Sequence, residues 1–159
     1  MEIVWHYAPW SYLSKIVGSG YLKASNVGAD NELPMTWFSA NQLWENTAAK
    51  VFMDSKGNVS RLTFSQHSDI FGCIRFGLSA NDDRLLNWKD ACAKAGTPRQ
   101  TRRLMEKSGV KQGATSSHWY AIQGNVLLSD LSFQVWLNNS WYVSTEMKEM
   151  ADVWEAHNA

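Results

Sequence analysis

His6 and Tyr7 stand side by side in VWHYAPWSYLSKIVGSGYLKAS, residues 4–25, a stretch that also holds Trp5, Trp10, Tyr12 and Tyr21. An imidazole among flat, amphipathic rings suits the floor of a nucleotide pocket, with His6 as a hydrogen-bonding group rather than a base. Stacking on an aromatic face tolerates the identity of the ring and is worth roughly 1–3 kcal/mol per base. Trp5, Trp10 and Trp119, each beside a His, Ser or Tyr, are therefore the candidate walls for nicotinamide or a nucleobase. The other role open to the nine tryptophans is packing, and Trp37, Trp44, Trp136, Trp141 and Trp154 suit a core with few Leu and Ile. Arg75 in CIRFGL has two readings, a solvent-facing side chain or a planar fork aimed at a pyrophosphate.

The absent patterns narrow the chemistry. No GxGxxG follows a strand, no GxxxxGK[ST] occurs, and no GxSxG elbow holds a nucleophile. His6, His67, His118 and His157 form no HExxH or close ligand pair, so no metal is expected. Cys73 and Cys92 lack ligand spacing and read as buried free thiols.

Fifteen basic residues balance fifteen acidic ones, so the whole chain offers no electrostatic case for a polyanionic partner. The local asymmetry is Lys94, Arg99, Arg102, Arg103, Lys107 and Lys111 against Glu106 alone. This basic helix is either a solvated face or a contact for nucleic acid or another partner, through Arg99, Arg102, Arg103 and Lys107. MEIVWHYAPW lacks the basic start and apolar run of a signal peptide, and no segment has the apolar length of a membrane span. A cytoplasmic setting without membrane contact is the expectation.

The elements that must position these groups follow from period and punctuation. Ser11 is placed as the cap of a short helix with the stripe Leu13, Ile16, Val17, ended by Gly18 or Gly20 and followed by an extended Tyr21–Lys23. MTWFS, 35–39, reads as a strand, and Ser39 with Gln42 as a capping box opening a helix that buries Trp44, Ala48 and Phe52 and ends before Gly57. Residues 61–64 and 73–78 read as strands. Asp82 and Asp83 start a helix closed by Gly96, and Thr97-Pro98 starts another closed by Gly109. Segments 118–122, 125–128 and 132–137 are strand-like, with Asn138-Asn139 turning the last into SWYVS. Met147, Met150, Ala151 and Trp154 mark a final amphipathic helix. With no linker, repeat or low-complexity tract, 1–159 is expected to be one α+β domain.

The order strand ending on His, short helix to a Gly, and a following strand resembles the opening of ADP-ribosyltransferase-fold proteins. The DNA-modifying ADP-ribosyltransferase toxins have a similar His-x-Thr start, where this chain has Ala8 at the third position. MTWFSANQLWENTAAK, 35–50, resembles the family's second motif, a strand ending in an aromatic and a Ser. The resemblance covers residues 4–52. It implies a mostly antiparallel, strongly bent and split sheet with flanking helices, and NAD as the substrate from which ADP-ribose passes to a protein or nucleic-acid acceptor. It also implies a late-strand Glu or Gln, for which Gln134 stands with Glu146 in reserve. On this view His6, Tyr7, Trp37, Ser39 and Arg75 bind the dinucleotide, and His6 and Gln134 serve the reaction. Gln134 orients ribose but cannot activate an acceptor as a carboxylate would. The other hypothesis is a Trp-rich binding or inhibitor protein without catalysis, acting through the 94–111 helix.

Overall fold

The computed structural model describes residues 2–26 and 29–158. Along the chain run β1 (Ile3–Pro9), α1 (Leu13–Ser19), β2 (Tyr21–Leu22), β3 (Met35–Ser39), β4 (Val51–Met53), β5 (Val59–Arg61), α2 (Phe64–Phe71) and β6 (Cys73–Ser79). Then come β7 (Leu86–Asn87), α3 (Trp88–Ala95), α4 (Arg99–Lys111), β8 (Trp119–Gln123), β9 (Val126–Leu127), β10 (Ser132–Leu137), β11 (Ser140–Val143) and α5 (Met147–His157). Seven strands form one antiparallel sheet in the order β11-β10-β6-β1-β3-β8-β7, and the pairs β2-β9 and β4-β5 stand apart. The class is α+β.

Register decides what the sheet can position. β1 and β6 pair along seven positions, from Ile3↔Ser79 to Pro9↔Cys73. β1 and β3 meet only at Trp5↔Ser39. Beyond that pair the two strands part, and the carbonyl of Trp37 accepts from the His6 ring at Nδ1, 2.7 Å away, instead of from a backbone amide of β1. The hairpin β10-β11 turns at Asn138 and Asn139, whose φ of 49° and 60° give the left-handed pair that suits the strands' twist.

Side chains alternate across the sheet. One face carries Val4, Ala8, Phe38, Ile74, Phe76, Phe133 and Val135, covered by Leu13 of α1 and Ala151 and Trp154 of α5. The opposite face carries Trp5, Tyr7 and Cys73 packed on Trp44, with Met35 and Ala121 under Ala91 and Ala95 of α3. On that face α4 approaches closely at Gly109, where a Cβ would stand 2.5 Å from the Trp119 ring. Gly109 was expected to end this helix; it lies inside it, as the residue that lets helix and indole touch.

Four other expectations change. No α-helix follows Ser39: its hydroxyl accepts from Asn41 N at 3.1 Å and donates to Glu45, while Gln42 folds its amide back on Ile3 O and Ala40 O. The chain therefore continues as a loop, a short turn at Asn46–Ala48 and the exposed hairpin β4-β5, leaving Phe52 half exposed. The strand expected at 61–64 ends at Arg61, because Thr63 and Gln66 make a capping box that opens α2 at Phe64. Asp82 binds Arg84 in a turn, and α3 starts six residues later behind the Asn87 cap. Ser11 lies within a 3-10 turn and makes no cap bond; the left-handed Gly20, φ 82°, ends α1.

Candidate functional site

Where β1 and β3 part, a cleft of about 760 Å³ opens, bounded across from the sheet by α4. Aromatic rings wall it: Tyr7 of β1, Trp37 of β3, Trp119 of β8 and Trp88 at the start of α3. Trp88 packs edge-on to Trp119 at 5.0 Å and tilted against Trp37 at 5.4 Å, so the three indoles form one surface. Trp88 is fixed by donating to Glu106 of α4 at 2.8 Å. The α4 wall adds Thr101, Leu104, Met105 and Ser108.

The group with the most chemistry at this cleft is Glu45, which is only 5% exposed. Its Oε1 accepts from Ser39 Oγ (2.8 Å), Asn41 Nδ2 (2.9 Å) and Trp119 Nε1 (3.2 Å). Its Oε2 accepts from Thr47 N (3.2 Å) and Thr47 Oγ1 (2.7 Å). Five neutral donors therefore hold one buried carboxyl group as an acceptor, and among the described residues no Lys or Arg pairs with it. Its neighbour Asn41 is in turn oriented by His118, whose Nδ1 lies 2.9 Å from Asn41 Oδ1.

Two cations edge the same cleft. Lys50 Nζ donates to Tyr12 Oη at 2.5 Å and lies 4.3 Å from that ring's centre. Arg61 Nη1 donates to Thr47 O (3.0 Å) and Ala49 O (2.6 Å), which holds the guanidinium beside the Glu45 loop. Neither cation has a carboxylate partner among the described residues, so both are available to an anion. His6 borders the opening with its ring toward Phe38 and Phe76. Burial lowers its pKa from the usual 6.5, and the bond to Trp37 O opposes that shift. The neutral ring donates through Nδ1, and Nε2 has no partner among the described residues. Burial pushes the Tyr7 phenol up to about 12, keeping it protonated, and its hydroxyl donates a hydrogen bond to Asn41 O at 2.5 Å.

The structure thus brings His6, Tyr7, Trp37 and Ser39 together at one cleft, while Gln134, Arg75 and Glu146 do not line it, although Arg75 reaches Tyr7 from behind. Arg75 lies behind the cleft, 7% exposed, between the rings of Trp5 (3.8 Å) and Trp141 (4.4 Å). Gln134 accepts from its Nε at 2.8 Å and its Nη2 at 2.5 Å, so the late-strand amide faces a guanidinium rather than the opening. The reason is register: Gln134 sits opposite Arg75 in the β10-β6 pairing, and β6 and β1 both lie between β10 and β3. Glu146 is exposed just before α5, away from the cleft. Trp10 is on the far face, stacked on Trp154 and donating to Met150 O, and walls nothing here. Of the basic residues of α4, Arg99, Arg103 and Lys107 are exposed, while Arg102 pairs with Glu106 at 3.5 Å.

Glu45 escaped the sequence reading because a helix over 39–52 turns it into one more helical acid. The available signal was SANQLWENT itself: Ser, Asn, Glu and Thr at 39, 41, 45 and 47 can close on one another only if the segment is a loop. Among the described residues no group of three or more His, Cys, Asp or Glu is placed to hold a metal ion, and no helix is long and apolar enough to cross a membrane. Compared with protein-family models, curated proteins and solved structures, the chain matches none.

Proposed function

We propose that the chain is an NAD-consuming ADP-ribosyltransferase whose reacting carboxylate is Glu45, in the role first assigned to Gln134 or Glu146. The carrying observation is the polarity of the cleft: a buried carboxyl among indoles, with Lys50 and Arg61 at its edge. NAD has the complementary polarity, a cationic nicotinamide ring joined through ribose to an anionic pyrophosphate. Trp37, Trp88 and Trp119 take the ring, with cation–π attraction adding to stacking. Lys50 and Arg61 meet the phosphates, and His6 accepts a ribose hydroxyl at Nε2. When the bond from C1′ to the nicotinamide nitrogen breaks, its electron pair leaves with the ring and positive charge grows on the ribose. A fixed Glu45 carboxylate stabilises that charge without reorganising. A nucleophile of the acceptor then bonds C1′ and loses its proton. The parting of β1 and β3 beyond the pair Trp5↔Ser39 supports this reading, since the resemblance implies a split sheet.

Nicotinamide release and transfer of label from NAD test this reading. Wild type should show saturable tryptophan quenching by NAD and release nicotinamide. Glu45→Gln should lower release about 100- to 1000-fold while retaining quenching. A wild type that neither quenches nor releases nicotinamide overturns the proposal.

The exposed stripe Arg99, Arg103 and Lys107, at four-residue spacing on the side of α4 turned away from the residues that line the cleft, offers an anionic acceptor a contact along the outer face of that helix. In a binder without catalysis the same stripe carries the whole activity. Neutralising the three should then abolish partner binding and flatten its salt dependence, with NAD having no effect.

A further inference from the structure

Arg75 is a buried cation with no carboxylate partner among the described residues, an arrangement that is unfavourable unless its donors are fully used. Nε and Nη2 donate to Gln134, and Nη1 turns to the loop before Glu45. Nη1 donates to the carbonyl of Gln42 and reaches Tyr7 Oη at 3.4 Å. Tyr7 Oη donates to the preceding carbonyl, Asn41 O, and Trp141 Nε1 donates to the following one, Leu43 O, at 2.9 Å. Three successive backbone carbonyls are thus held by side chains from β1, β6 and β11, and the residue two positions on is Glu45. Arg75 links the three, because its planar faces lie against Trp5 and Trp141 and Gln134 anchors its other edge.

We propose that Arg75 is a positioning residue that acts through the Asn41–Leu43 backbone to fix the Glu45 carboxyl group, with Gln134 as its anchor and Tyr7 and Trp141 as the flanking clamps. The inference rests on Glu45 being the reacting group. It gives Gln134 a place in the site's construction without contact with substrate. The geometry also accounts for a guanidinium at position 75: an ammonium group has no plane to lie between two indoles and no fork to join a strand amide to a loop carbonyl.

The test uses the full chain. Hydrogen exchange over residues 41–48 is measured without NAD in wild type, Arg75→Met, Arg75→Lys and the milder Trp141→Phe, which removes one donor and keeps a ring over Arg75. Exchange in that segment should rise about 10-fold in Arg75→Met, while the β1 and β8 amides stay protected. It should rise less in Arg75→Lys and least in Trp141→Phe. In nicotinamide release, Arg75→Met should lower kcat about 10- to 100-fold with KM for NAD nearly unchanged, since Trp37, Trp88, Lys50 and Arg61 are untouched. Should Arg75→Met fail to fold, Trp141→Phe decides by the same two readouts. Unchanged exchange in a folded variant overturns the clamp, and so does faster exchange with kcat unaffected or with KM alone raised. A wild type without nicotinamide release removes the reading of the cleft, and with it the catalytic role of the clamp; exchange then reports separately on whether Arg75 holds the loop.

Discussion

Two aromatic clusters share one face of the sheet and meet at the loop from Ala40 to Glu45. In the first, Trp5, Tyr7, Trp44, Trp136 and Trp141 close on one another and on Phe64, with Trp44 stacked on Phe64 at 4.9 Å. In the second, Trp37, Trp88 and Trp119 touch each other yet leave surface facing the cleft. The first encloses a cation whose hydrogen-bond partners are neutral, and the second faces a carboxyl group also held by neutral donors. The same residue type thus packs around a guanidinium in one cluster and lines the cleft beside a carboxyl group in the other. Trp content alone distinguishes neither role.

Truncation should separate the clusters most sharply. Trp44→Ala empties a site lined by Tyr7, Phe64 and His67, and should lower stability by about 3–5 kcal/mol in denaturant melts. Trp37→Ala, at a half-buried ring, should cost well under half of that while removing most of the NAD quenching. Equal effects from the two would erase the distinction. Next in size is Gly109→Ala, which drives a methyl group into Trp119 and should destabilise by about 1–3 kcal/mol, read as a lower Tm.

Proton linkage should give a smaller effect, shared between the split and the closed cluster. Burial lowers the pKa values of His6 and His67 below the usual 6.5, with Lys50 adding to the shift at His67. The unfolded chain therefore takes up protons first as the pH falls below about 6.5, so stability is full above that pH and declines below it. Thermal melts between pH 7.5 and 5 should show this slope, and His67→Phe should reduce it. The smallest energetic change accompanies a chemical test: burial raises the thiols of Cys73 and Cys92 to about 12 and about 11, so neither should react with a thiol reagent at pH 8 until the chain unfolds.

Much of the scaffold was legible in local pattern. MTWFS, CIRFGL and SFQVWL-NN-SWYV became strands with the expected hairpin, and the Met and Trp stripe became α5, because alternation, helical period and turn chemistry act within a few residues. The 39–52 segment was misread because its capping-box spelling is satisfied by other partners: Trp5, Ile3 and Glu45 take the groups a helix would have used. Gly109 failed as a stop because contact with Trp119 outweighs the intrinsic preference of Gly against helix interiors.

The site divides in the same way. His6, Tyr7, Trp37 and Ser39 were recognisable by type and stand at one opening, since residues within two positions of the Trp5–Ser39 pair on two neighbouring strands must lie close together. Which acid reaches that opening was decided only by tertiary structure. Gln134 and Arg75 are brought together by strand register, and Glu45 stands at the cleft in a loop whose preceding carbonyls accept from side chains of three separate strands. Pattern along the chain determines which groups lie within a few residues of each other. Contacts made across 30 to 100 residues depend on which strands become neighbours, and no local periodicity encodes that.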